Sequence, residues 1–156
     1  MGLVDLSEFS KELIGRRNKA ALLLTPDVTE QRAYANKLAD SIDAPHFDVL
    51  DRFQSDTKLS ERLGSFSMAD FFALIAEHRL HSLVVISGIE FVLAAWLSQE
   101  DPTHVKRELC KKVELWERTP AFILVAQHDP VIAAYRPSRH TAGHLVIKLS
   151  ETLSLQ

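Results

Sequence analysis

AALLLTPDVTEQRAYANKL, residues 20–38, is the stretch from which the rest of the chain can be read. Ala21–Leu24 is an apolar run without alternation, the pattern of a parallel strand covered on both faces. The eight residues Thr25–Arg32 form a turn, and Ala35, Leu38, Ala39 and Ile42 then repeat at helical spacing. Two later runs have the same strand character, Ser82–Ile86 and Ala121–Val125, and Phe47, Val49 and Leu50 suggest a shorter strand. His144–Leu149 and Thr152–Leu155 are candidate closing strands, for which a hairpin at the sheet edge is one arrangement. Helical patterns lie between these runs. Asp5, with Glu8 in the capping-box position, opens a helix carrying Leu6, Phe9, Leu13 and Ile14. Ser67 caps Met68–His78, Phe91–Leu97 is apolar throughout, and Pro102 opens a long helix through Arg118. Arg52–Ser67 reads as polar and irregular, anchored by Leu59, Leu63 and Phe66. Strands alternating with helices predict an α/β fold in three layers, a mostly parallel sheet with helices on both faces.

The 156 residues suffice for one domain with a core, spanning 1–156. Apolar residues at 46% and charged residues at 25% are ordinary for a water-soluble domain. A single cysteine, Cys110, excludes an internal disulfide and points to a reducing compartment. No apolar run approaches the ~20 residues of a membrane span. MGLVDLSEFS lacks the basic start and apolar core of a secretory signal, so a cytoplasmic protein that avoids membranes is expected. The net charge of −3 is unevenly spread: residues 102–148 hold eight Lys/Arg against four Asp/Glu, and the remainder ten against seventeen. Such asymmetry can mark an anion-binding face.

The turn Thr25–Arg32 has the length and placement of a phosphate-binding P-loop, G-x-x-x-x-G-K-[ST], with its chemistry replaced. Thr25 and Glu30 stand at the glycine positions, Gln31 at the lysine, and Arg32 at the metal-binding hydroxyl. Glycines let backbone amides wrap a phosphate and lysine neutralises it; here a carboxylate faces that place and no ammonium answers it. Leu83–Glu90, LVVISGIE, resembles a Walker B strand in which Ser87 replaces the metal-directed aspartate and Glu90 stands where a glutamate polarises water. Phe122–Pro130, FILVAQHDP, resembles the next strand of RecA/AAA-like proteins, with Gln127 at the polar sensor position. Over residues 18–149 the chain thus resembles a degenerate P-loop NTPase domain of the RecA/AAA-like superfamily. It also resembles the small P-loop proteins of phage-exclusion (BREX-type) defence systems, through Leu59-Ser60-Glu61-Arg62-Leu63 and a strand ending in Ile89-Glu90.

That resemblance implies a RecA-like sheet without a competent ATPase site, binding no cofactor and no metal. It implies a binding or assembly subunit of a DNA-handling machine, in repair, recombination or phage defence, whose partner is an ATPase, another machine subunit or a second copy. An enzyme alternative keeps an unconventional nucleotide site, with Arg32 or Lys37 replacing the lysine and Glu90 polarising water. A third reading is a stand-alone nucleic-acid-binding module. It uses Lys106, Arg107, Lys111 and Lys112 of the long helix with Tyr135, Arg136 and Arg139 of a basic loop, for phosphate contacts and base stacking. Two weaker patterns complete the inventory. His140 and His144 are spaced i,i+4 but lack the glutamate of H-E-x-x-H. Ser87 and His128, both at strand ends, lack a nucleophile elbow.

Overall fold

The computed structural model describes residues 3–137 and 144–155. Five parallel strands form one sheet in the order β2-β3-β4-β1-β5: β1 Ala20–Thr25, β2 His46–Asp48, β3 Leu83–Ser87, β4 Ala121–Gln127 and β5 Val146–Lys148. β1 and β4 are in register from Ala20↔Phe122 to Thr25↔Gln127, and β3 joins β4 from Leu83↔Ala121 to Ile86↔Leu124. Val84, Val85, Ile86, Ile123, Leu124 and Val125 are all buried in these adjacent central strands, as unalternating apolar runs require.

Helices cover both faces, giving the three-layer α/β arrangement. On one face α1 (Leu6–Gly15) and α2 (Gln31–Ser41) pack Leu6, Phe9, Leu13, Ala35 and Leu38 against Leu23, Val85 and Ile123. On the other lie α3 (Val49–Ser55), α4 (Thr57–Glu61), α5 (Met68–Ala76), α6 (Glu90–Leu97), α7 (Pro102–Glu114) and α8 (Pro130–Ala133). The core of this second face is larger and richer in rings, with Phe71, Phe72, Trp96, Trp116 and Phe122 in edge or tilted contact.

Several boundaries differ from the sequence expectation, each for a local reason. Val49 and Leu50 open α3 instead of extending a strand, because the Asp48 carboxylate accepts the Asp51 amide at 3.0 Å and caps a helix there. The segment read as irregular contains α3, α4 and a 3-10 turn at Leu63–Ser65, started by the Asp56 cap on the Leu59 amide. α5 stops at Ala76 and α7 at Glu114, short of His78 and Arg118. After α7 the chain turns so that Trp116 enters the core and its indole N–H donates to the Pro120 carbonyl. The closing segments form no hairpin: β5 runs parallel to β1, and Thr152 makes a single parallel bridge to Val4. The eight-residue turn is shorter than expected, since β1 includes Thr25 and α2 begins at Gln31, leaving residues 26–30 as the connection. No helix among the described residues is long and apolar enough to cross a membrane.

Candidate functional site

Because every strand pairs in parallel, the ends of β1, β2, β3 and β4 lie along one edge of the sheet. The connection leaving β1 passes through α2 on one face, and the one leaving β4 passes through α8 on the other. The ends of these adjacent strands therefore flank a topological switch point, the place where open α/β sheets hold ligands. Thr25 and Gln127 face each other there in register.

In this molecule side chains of the protein itself meet at that place. Gln31, in the first turn of α2, is buried, and its amide is used at both ends. Nε2 donates to Glu90 Oε2 at 3.0 Å and Oε1 accepts the Gly88 amide at 3.2 Å. A carboxylate only accepts and a backbone N–H only donates, so the amide can face just one way. The same Glu90 oxygen also accepts the Gln127 amide at 2.9 Å, which ties the start of α6 to the end of β4. Gln31, Glu90 and Gln127, read separately from the sequence, thus form one clasp.

The connection before α2 is equally self-contained. Thr29 donates its amide to Asp27 Oδ1 at 2.9 Å, and the Gln31 amide reaches the Val28 carbonyl at 3.3 Å. None of residues 26–30 has a positive φ, so the turn has no use for the glycines a phosphate cradle needs. Thr25 is buried, its hydroxyl within reach of the Asp27 and Ala126 carbonyls at 3.2 and 3.3 Å. Glu30 occupies the N-cap of α2 without a side-chain cap, an exposed negative charge where the helix would otherwise favour an anion. Arg32 points away and pairs with Asp51.

Ser87 belongs to a second group that the sequence reading missed. Its hydroxyl donates to Asp48 Oδ2 at 3.0 Å and lies 2.7 Å from His46 Nε2, while His46 Nδ1 is 2.6 Å from Asn36 Oδ1. The histidine beside Ser87 is therefore His46, not His128, whose amide bonds the Thr25 carbonyl at 2.7 Å. Ser87 is wholly buried and the amide that follows it is held by Gln31, so a nucleophile here has neither access nor an oxyanion donor. Asp48 also fills the space beside Gly88, whose φ is +75°; a Cβ there would lie 2.6 Å from Asp48 Oδ1. The legible signal was the i,i+2 spacing of His46 and Asp48, which puts both side chains on one side of a strand end.

The basic residues divide. Lys106 makes a largely buried 2.6 Å ion pair with Asp129, which also caps α8 through the Val131 and Ile132 amides. Burial opposes the Asp129 charge, but the Lys106 ammonium and those amides outweigh it and hold the carboxyl below its ordinary range. Lys112 lies 3.9 Å from Glu108. Tyr135 is half-buried, its hydroxyl donating to the buried Glu114 at 2.7 Å; burial and that carboxylate push the phenol upward. Arg107 and Lys111, spaced i,i+4 on α7, are exposed, as is Arg136. Arg139 and His140 lie outside the described residues. Cys110 is buried beneath α7, where burial pushes its thiol up to about 12, so it behaves as a small hydrophobe. Among the described residues no group of three or more His, Cys, Asp or Glu side chains could hold a metal ion. No protein-family model matches the chain, and no curated protein sequence matches it.

Proposed function

We propose that this protein is a non-catalytic subunit with a P-loop-like fold, which binds a protein partner within a DNA-handling assembly and uses no nucleotide. One observation carries the first half of that reading. The Gln31 side chain, at the position of the phosphate-binding lysine, is buried and bonded at both ends to Glu90 and Gly88. A nucleotide entering the crevice would have to break this clasp, gain no ammonium in return and approach the Glu30 and Glu90 carboxylates. The assembly role rests on the resemblance to RecA/AAA-like and phage-exclusion proteins, whose layout the parallel sheet accommodates. The single, buried Cys110 fits a reducing compartment, and we place the protein in the cytoplasm.

Calorimetry with MgATP, MgADP and MgGTP tests the nucleotide half. Binding no tighter than about 1 mM is expected, equivalent to roughly −4 kcal/mol. Micromolar affinity, or hydrolysis lost in Glu90→Gln, would replace this reading with that of an ATPase with an unconventional site. A nucleic-acid-binding role is the second reading, favoured by the exposed Arg107 and Lys111 on one side of α7, neither in an ion pair among the described residues.

A further inference from the structure

The hydrogen-bonded row Asn36–His46–Ser87–Asp48 crosses three elements and contains one group that titrates near neutral pH. Asn36 comes from α2, His46 and Asp48 from β2, and Ser87 from the end of β3. Asp48 also caps α3 through the Asp51 amide. With the Asn36 oxygen toward the ring, the three contacts of the row cannot all be made at once by a neutral imidazole: a proton on Nε2 serves Ser87 and Asp48 but sets the Nδ1 lone pair against Asn36 Oδ1. With the proton on Nδ1, the ring donates to Asn36 Oδ1 and Nε2 accepts the Ser87 hydroxyl, which leaves Asp48 Oδ2 without that donor. With a proton on each nitrogen, the ring donates to both Asn36 and Ser87, and the Ser87 hydroxyl is free to donate to Asp48.

We propose that His46 is a proton-operated latch: on gaining a proton it turns the Ser87 hydroxyl from the imidazole to Asp48, and so resets the joint between α2, β3 and the cap of α3. The surroundings allow it. His46 is half-buried on an open hollow of about 410 Å³, so solvent reaches the ring without unfolding. The charged and titratable groups around that hollow are Asp48 on its own strand, Arg32 from α2, Asp51 and Arg52 from α3, and His78 beyond α5. Burial disfavours the cation most strongly; Asp48 and Asp51 favour it and Arg32 opposes it, and the outcome is a pKa below the ordinary histidine value. His78 stacks on Phe47, the neighbour of His46, at 4.4 Å between ring centroids. The latch abuts the Gln31 clasp but shares none of its side chains, so nucleotide binding at that clasp would leave it standing.

The test is a pH titration of the full chain by NMR, reading the His46 ring nitrogens and the Asp51 amide together. The neutral ring should carry its proton on Nδ1, and the Asp51 amide should shift with the same midpoint as the ring, below about 6.5. Ser87→Ala should leave the ring titrating and abolish the Asp51 response. Asn36→Ala, an exposed position, should move the neutral proton to Nε2 and abolish it too. A neutral wild-type ring protonated on Nε2, or an Asp51 response that survives in both variants as a direct effect of the ring's charge, overturns the proposal.

Discussion

Gln31 shows how one side chain can occupy a site. Its buried amide satisfies two half-buried groups at once, the Glu90 carboxylate and the Gly88 amide. Gln31→Ala should therefore destabilise the fold by about 1–3 kcal/mol, the cost of leaving such polar groups without partners. Urea unfolding measures this, and a loss below ~0.5 kcal/mol would mean that water replaces the amide at no cost. The histidines give a second residue-scale expectation. Burial is the largest influence on both His46 and His78, and both have folded pKa values below the ordinary one. Protons then bind the unfolded chain first, so their contribution to stability is complete above about pH 6.5 and is lost as the pH falls through the folded values. Unfolding at pH 7.5 and 5.5 should show this loss, and His78→Gln should reduce it. The Asp129 carboxylate acts in a separate, more acid window, because its depressed pKa removes stability only below the ordinary carboxylate value.

At the scale of elements, the end of β3 is the most constrained point. Gly88 combines a φ of +75° with a missing Cβ whose place Asp48 occupies at 2.6 Å. Gly88→Ala adds left-handed strain to a clash with the carboxylate that caps α3, and should cost more than the ~1 kcal/mol of a strained alanine alone. One residue upstream of Ser87, Ile86→Ala empties a wholly buried site between β2 and β4 and should cost about 2–5 kcal/mol. Thermal and urea unfolding of both variants provide the check. Gly88→Ala should also perturb the amide signals of α3, whereas the Ile86 cavity should not single out that helix. An unchanged α3 in Gly88→Ala would show that the Asp48 cap is not what limits this position.

Over the whole molecule, charge is the property that reaches beyond the fold. The uneven distribution along the chain is only partly available to a partner, because Lys106 is tied to Asp129 and Lys112 lies beside Glu108. Arg107, Lys111, Arg118, Arg136 and Lys148 are the exposed Lys and Arg side chains of residues 102–148 among the described residues. If they meet nucleic acid, affinity falls with salt, with a slope of about −0.9 per phosphate contact on duplex DNA. Arg107→Ala combined with Lys111→Ala should then flatten that slope by roughly two units without lowering thermal stability. Tyr135→Ala should instead lower stability, because its hydroxyl supplies a hydrogen bond to the buried Glu114. Absence of any salt-sensitive binding would remove the nucleic-acid role and leave α7 to a protein partner.

Local pattern alone determined the elements whose character is uniform. The apolar runs at β1, β3 and β4 have one stable environment, a sheet covered on both faces, so alternation with helices was enough to define the fold class. That residues 25–32 carry no glycine, no lysine and no hydroxyl at the spacing of a phosphate-binding loop is a fact of the sequence alone. Tertiary structure decided what fills their place. Gln31 and Glu90 are 59 residues apart, and Ser87 is 41 from His46; only the path of α2 from β1 to the far edge of the sheet brings them together. Short elements were equally a tertiary matter: β2 has three residues, too few for a period, and its end is set by the Asp48 cap. Spacing could identify what each position lacks as a phosphate site. Which polar groups satisfy one another in the crevice depends on distances that exist only after folding.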